Sequence, residues 1–288
     1  QRTICTLLII VLTGATSIYG IINAKIVRTT EYEITINKDG GNFKEMTIAM
    51  FGDPQFGYNI GEYHLKQAVD IINKNDVDIV CVVGDIFDNQ YSAIKHPDKL
   101  IELFNQIKSK YGMYAVLGNH DVEEPILCGF TFNDDDIENK LASKEMLDFI
   151  KKSGMVLLYD ENVIINDSIN LYGRADQERP NLGNITRKES GDIFKEVDTT
   201  KPLFVLDHEP REYDELEKAG VDLMMAGHTH DGQLWPTKIA TDIIWENAYG
   251  LWVKNALHAI TTSGLGLFGP NMRVGTIAEV CIIHVKFR

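Results

Sequence analysis

The chain has 288 residues, 44% of them apolar and 24% charged, and 42 acidic against 28 basic side chains give a net charge of −14. These are globular proportions that exclude long disorder, collagen and coiled coil, and the length fits one large domain or two small ones with a sizeable core. The acidic balance argues against gripping nucleic acid, which needs a basic face, but not against an anionic substrate, because bound cations invert a local field.

Thr3 to Ala24 carries no charge, and the runs Ile4–Leu12 and Ile18–Ile22 are strongly apolar. About 20 such residues cross a bilayer. Residues 3–24 therefore read as a transmembrane helix within a 1–28 anchor and juxtamembrane segment, and the chain as a membrane protein. The small-x-small site Ala15-Thr-Ser17 makes a signal peptide the competing reading. Arg2 at one end and Lys25 and Arg28 at the other leave the orientation open. Cys5, Cys81, Cys128 and Cys281 lie far apart without a C-x-x-C pair, so neither a disulfide framework nor a cysteine zinc site is expected. Cys81 and Cys281 sit in apolar runs and read as core.

Residues 29–288 change character. Arg28–Lys38 alternates as a strand does, with Tyr32, Ile34 and Ile36 on one face. Asp39–Asn42 is a turn. Met46–Phe51 is an apolar strand, Tyr63–Asn73 a helix, Val77–Val83 a second buried strand, Leu100–Ile107 a helix and Met113–Leu117 a strand. Lys140–Ile150 reads as helix, followed by short strands at 156–158, 163–165 and 169–172. Leu203–Leu206 is a strand, Tyr213–Ala219 a helix and Leu223–Ala226 a strand. The remainder is mostly β, clearest at 256–262 and 277–287. Alternation early and strands late predict an α/β sandwich built on a mixed sheet. Asp134–Asp136 reads as a solvated acidic loop.

Five buried strands stop at potential ligands: Asp53-Pro-Gln55, Gly84-Asp85-Ile-Phe-Asp88, Gly118-Asn119-His120-Asp121, Asp207-His208, and Gly227-His228-Thr-His230. Any one of these is ordinary turn chemistry. Carboxyl ends of strands are where ligands bind in α/β sheets, and five ends carrying Asp, Asn or His in one chain are hard to obtain by chance. Two imidazoles at i and i+2, His228 and His230, converge readily on a metal. His64, His96, His258 and His284 lack such a setting and read as surface or core.

In order, D-x-[H/Q], G-D-x-x-D, G-N-H-[D/E], a lone His and G-H-x-H resemble the calcineurin-like metallophosphoesterases. Gly227–Gln233 and the tail Gly264–Arg273 resemble the membrane-associated bacterial branch of that family. The resemblance covers about residues 45 to 288. It implies a four-layer α/β sandwich of two mixed sheets flanked by helices, here preceded by the transmembrane helix. It also implies a phosphomonoesterase or phosphodiesterase with two divalent ions, Mn²⁺ first and Fe, Zn²⁺ or Mg²⁺ as alternatives. Asp53, Gln55, Asp85 and His230 would hold one ion, and Asp85, Asn119, His208 and His228 the other. A bridging water, acidified toward neutrality, would attack phosphorus, and the roughly +2 left on the site would attract phosphate. His120 would protonate the leaving oxygen or stabilise charge on phosphate, with Asp88 and Asp121 orienting their neighbours.

The family's commonest pattern has His where Gln55 stands, which puts an amide oxygen in place of an imidazole and suits harder ions. A catalytically weak scaffold or binding module of the same fold is the alternative function. An unrelated zinc hydrolase is disfavoured because no H-E-x-x-H is present. The substrate is expected to be a phosphate-containing small molecule or lipid, with a lipid-linked or cell-envelope phosphate suggested by the anchor. Loops around Tyr58, 129–136, 174–184 and 235–252 are the expected pocket walls. Trp235, Trp245 and Trp252 belong either to the core or to a lipid-facing mouth.

Overall fold

In a computed structural model the described residues are 2–127, 130–131, 141–179, 181–183, 187–193, 195 and 197–288, with the backbone alone for 126, 127, 130 and 131. Cys128 and the acidic run 134–136 lie outside them.

Helix α1 (Arg2–Ala24) leads into β1 (Val27–Ile36). Then β2 (Glu45–Phe51), α2 (Glu62–Lys74), β3 (Ile79–Val83), α3 (Pro97–Phe104) and β4 (Met113–Val116) alternate. A small hairpin, β5 (Ile126–Leu127) and β6 (Phe130–Thr131), precedes α4 (Lys144–Lys152), β7 (Met155–Leu157), β8 (Glu161–Ile165), β9 (Ile169–Gly173) and α5 (Ser190–Ile193). The chain continues through β10 (Leu203–Leu206), α6 (Tyr213–Lys218), β11 (Leu223–Ala226), α7 (Thr237–Ile244), β12 (Gly250–Lys254), β13 (Leu257–Thr261) and β14 (Ala278–Phe287).

Two six-stranded sheets result, in the orders β1-β14-β2-β3-β4-β7 and β12-β13-β11-β10-β9-β8. Both are mixed: β2, β3 and β4 run parallel while β14 is antiparallel to β2, and β9, β10, β11 and β13 run parallel while β8 and β12 are antiparallel edges. Ile48 and Met50 of β2, and Ile79, Cys81 and Val83 of β3, face the other sheet, where Phe204, Leu206, Leu223 and Met225 meet them. The intervening Ala49, Phe51, Val80 and Val82 face α2, α3 and α4. Leu203, Val205 and Met224 pack on the far side against Tyr213 and Leu216 of α6. Three cores between four layers explain why these strands read as unbroken apolar runs, since both faces are buried.

Three helices differ from the sequence expectation, the short α5 (Ser190–Ile193) lying where no element was expected. α3 starts at Pro97, whose missing N–H costs nothing in a first turn, three residues before the first periodic leucine. α7 stands within the 235–252 segment, where a loop in a mostly β region was expected. None of its residues is buried, so it shows no core-facing stripe, and Ile and Thr dominate its composition. Lys238 and Asp242, 3.4 Å apart at i,i+4, support it locally.

α1 is long and apolar enough to cross a membrane, and only Gly20, Asn23 and Ala24 of it are buried. Asn23 Nδ2 donates to the carbonyls of Arg273 and Thr276 at 3.0 and 2.9 Å. The Arg273 N–H donates to Gly20 O at 3.0 Å.

Candidate metal centre

The carboxyl ends of β2, β3, β4, β10 and β11 lie along one edge of the sandwich, and the loops that follow carry Asp53, Gln55, Asp85, Asn119, His208, His228 and His230. One ligand atom each from Asp53, Asp85 and His208 falls within 4.8 Å of the others. On one side, His208 Nε2 lies 3.0 Å from Asn119 Oδ1, 3.2 Å from His228 Nδ1 and 3.3 Å from Asp85 Oδ2, and Asn119 Oδ1 lies 3.1 Å from His228 Nδ1. His208 Nδ1 contacts Val83 O at 3.0 Å. If that contact is an N–H donation, Nε2 keeps its lone pair for the cluster. On the other side, Gln55 Nε2 approaches Asp85 Oδ2 at 3.5 Å and His230 Nε2 approaches Asp53 Oδ1 at 3.7 Å. Asp85 touches both groups.

The backbone is bent to achieve this. Asp53, Gln55, Asp85, His228 and His230 all have positive φ, between 43° and 70°. Each such non-glycine residue costs on the order of 1–3 kcal/mol and persists only where the surroundings over-determine it. The neighbouring glycines make room: a Cβ on Gly118 would stand 2.3 Å from Asp85 Oδ1, and one on Gly227 2.4 Å from Asp53 Oδ2.

Three buried atoms here have no hydrogen-bond partner: Asp53 Oδ2, Gln55 Oε1 and His230 Nε2. Leaving a buried polar atom unsatisfied costs about 1–3 kcal/mol. A cation among them would satisfy all three, and their donor types are those a divalent ion takes. The residues present therefore fit a metal. Without a metal the charges divide between the groups. Burial, aided by the charge of Asp85, pushes the Asp53 carboxyl up to about 7, against the pull of His208. Burial also pushes Asp85 up, but His208 and His120 outweigh it and hold Asp85 well below the carboxylate range. His208 is raised in return, Asp85 overcoming its burial. Burial, with the charge of His208, lowers His228 to about 3, and burial with Arg273 lowers His230. The two G-H-x-H imidazoles are thus held toward the neutral form that a ligand needs, whereas His208 would give up its proton on binding a metal.

A prediction follows from Asp53. Its folded pKa exceeds the unfolded value of about 3.9, so its contribution to metal-free stability is full below pH 4 and is lost as pH rises through about 7. We expect metal-free Asp53→Asn to melt several degrees higher than metal-free wild type at pH 8, with the gap closing at pH 4. Added Mn²⁺ should raise the melting temperature of wild type and not of the variant. Melts with chelator and with metal check this; equal Mn²⁺ shifts in both proteins would remove Asp53 from the site.

The other sequence candidates fall close by. His120 donates its backbone N–H to Asp85 Oδ1 at 2.8 Å and pairs Nδ1 with Asn89 Oδ1. Asp121 accepts from Phe87 N at 2.9 Å and Gly118 N at 2.8 Å, tying two of the loops together. Asp88 is raised by burial, with His120 pulling the other way. Asp207, beside His208, turns inward to Arg174 and Arg187 at 3.2 and 2.7 Å. Nothing in the sequence singled out Asn89, although it follows Asp88 directly. Arg273 was only part of a tail; it is fully buried beneath His230 and donates to the carbonyls of Ser263, Gly266 and His230. Glu178 and Glu209 approach His228 as a further group of potential ligands. Arg211 lies over Trp245 at 4.3 Å, and Trp245 stands against His228 at 5.1 Å.

A cavity of about 490 Å³ opens over the cluster and is lined by Gln55, Asp85, Asn119, His120, His228 and His230, walled by Thr237, Thr241, Trp245, Phe268 and Pro270. Of the expected walls, the 235–252 segment is there. Tyr58 instead lines a separate cavity of about 530 Å³ beside Lys25.

The family model described as calcineurin-like phosphoesterase matches residues 46–232, and the chain belongs to that family. An uncharacterized metallophosphoesterase of Aquifex aeolicus is 28% identical over 96% of this chain and 98% of its own length. A zebrafish (Danio rerio) transmembrane protein with metallophosphoesterase domain is 25% identical over 98% of this chain and 62% of its own. The UDP-2,3-diacylglucosamine pyrophosphatase LpxG of Chlamydia trachomatis is 20% identical over 73% of this chain and 72% of its own. The chain spans only about three fifths of the length of two relatives matched, 60% and 62%. The purple acid phosphatase PPD1 of yellow lupin shares the fold, with a TM-score of 0.50 at 15% identity over 84% of this chain and 54% of its own.

Proposed function

We propose that this calcineurin-like phosphoesterase hydrolyses phosphate esters at the strand-end cluster, with two divalent cations. The observation that supports this most is the set of buried, unpartnered donor atoms on Asp53, Gln55 and His230 beside the close-packed donors of Asn119, His208 and His228. Asp53, Gln55, Asp85 and His230 would hold one cation and Asp85, Asn119, His208 and His228 the other. Bound there, the cations supply charge neutralisation for phosphate and lower the pKa of water toward about 7. His120 lines the cavity beside the cluster and would hold a proton for the departing oxygen, steadied by Asn89. Asp121 fixes the loop that presents Asn119, and Asp88 bears on His120 electrostatically.

Oxygen donors make up four of the seven positions, which favours Mn²⁺ over Zn²⁺. Residues 1–28 would be the anchor and juxtamembrane segment, the last two already within β1, and 29–288 the catalytic unit. The anchor, and the diacylated sugar nucleotide for which the chlamydial relative is named, support a phosphate ester carried on a lipid. The test is a substrate panel of aryl phosphates, bis-aryl phosphates and lipid phosphates, run on the full chain in detergent with Mn²⁺, Mg²⁺, Zn²⁺ and Fe²⁺. Metal binding without hydrolysis of any of them would favour a scaffold module instead.

Gln55→His offers a narrower check. It replaces an amide oxygen with a softer imidazole nitrogen at a loop position where Gln55 Oε1 has no partner to lose. We expect a folded variant whose preference moves toward Zn²⁺, read as activity with each metal at matched free-ion concentration. An unchanged ranking of Mn²⁺, Mg²⁺ and Zn²⁺ would show that Gln55 is not a ligand.

A further inference from the structure

α7 lies on the domain without burying a residue. Its inner side supplies Thr237 and Thr241 to the cavity over the metal centre, and Lys238 is taken up by Asp231 and Asp242. Its outer side carries Ile239 and Ile243, exposed by 53% and 79%, and Trp235 just before it is 67% exposed. A four-residue spacing sets Ile239 and Ile243 on one face. Single exposed isoleucines are ordinary, but a tryptophan and two isoleucines together on one side mark a contact surface.

The position of α7 says what it contacts. Trp235 N donates to Val274 O at 2.8 Å, and Leu234 bridges to Val274. The same loop receives α1: a Cβ on Gly20 would stand 2.9 Å from Val274 Cγ2 and 3.1 Å from Met272 Cβ. At that level α1 still presents Ile18, Ile21 and Ile22 outward while Gly20, Asn23 and Ala24 are buried against the domain. If α1 crosses a bilayer, the hydrocarbon edge falls at the 272–274 loop. The apolar face of α7 starts from that loop, with a tryptophan first, the residue type enriched at membrane–water boundaries.

We propose that α7 is a membrane-surface helix. Ile239 and Ile243, with Trp235 just before the helix, sit at the headgroup–acyl boundary of the bilayer that α1 enters, and the catalytic cavity behind it opens at headgroup level. This rests on α1 being an anchor, and it does not depend on turnover. The test uses the full chain in phosphatidylcholine–phosphatidylglycerol vesicles with nitroxide-bearing acyl chains. A fluorophore is attached through Ile243→Cys, through Ile10→Cys in α1, or through Lys108→Cys at the opposite edge of the sandwich, each with Cys5 and Cys128 replaced by Ser. We expect quenching at positions 10 and 243 to exceed that at 108 several-fold, with the shallower nitroxide more effective at 243. Quenching at 10 but none beyond the control at 243 would sink the surface helix and leave the anchor standing. No quenching at 10 would sink both. Energy transfer between labelled copies at 243 without quenching would assign the face to a second copy of the chain and overturn the proposal.

Discussion

Asp85→Asn is expected to lose both cations and turnover together, with activity down by at least about 10⁴-fold. Asp85 is the group that both halves of the cluster share: Oδ2 stands 3.3 Å from His208 Nε2 and 3.5 Å from Gln55 Nε2, while Oδ1 accepts the His120 N–H at 2.8 Å. An amide retains the shape and one acceptor oxygen but removes a full charge from a site whose other carboxylate is Asp53 alone. Two divalent ions would then face a single carboxylate. Without them the nucleophile reverts toward bulk water, far less acidic than water that a cation would bring to about 7, and the fall in activity follows. Metal content by elemental analysis and kcat on an aryl phosphate are the paired measurements. A variant that keeps both metals while losing activity would mean that Asp85 does not bridge.

Much of this centre could be read in the sequence because its ligands sit at the ends of strands buried on both faces. Such strands are continuous apolar runs, so the polar residue that stops each one stands out: Asp53 after Phe51-Gly, Asp85 after Val83-Gly, His228 after Ala226-Gly. What could not be read was whatever depends on long-range contact. Asn89 acquires its role only because the loop after β4 brings His120 to it. Arg273 is buried under His230 by a tail more than 40 residues further along. α7 has no buried face to impose a period on its sequence, and its β-branched residues favour strand as much as helix. Asp207 is the converse case. It ends its strand directly before the ligand candidate His208, and only the structure shows its carboxylate paired with Arg174 and Arg187.

His120→Ala is expected to keep both metals and lower kcat by about 10²–10⁴-fold, the usual worth of a general acid. Metal retention follows from what His120 contributes to the cluster. Its contact with Asp85 is made by the backbone N–H, which alanine retains, and its ring is not among the donors around His208. The ring instead reaches Asn89 through Nδ1 and meets Phe268 edge-on at 5.6 Å, so the other nitrogen is free to face the cavity. If Asn89 presents its carbonyl oxygen, it steadies the protonated imidazole that a departing alkoxide needs. The loss should therefore depend on the leaving group: small for a nitrophenolate, which departs without help, and largest for an alkyl alcohol. Asn89→Ala should reproduce a milder version of the same pattern, because it unseats the ring without removing it. A His120→Ala protein found without metal would make His120 a ligand rather than an acid. An equal loss for nitrophenyl and alkyl esters would make it a phosphate-binding group with no part in protonating the leaving oxygen.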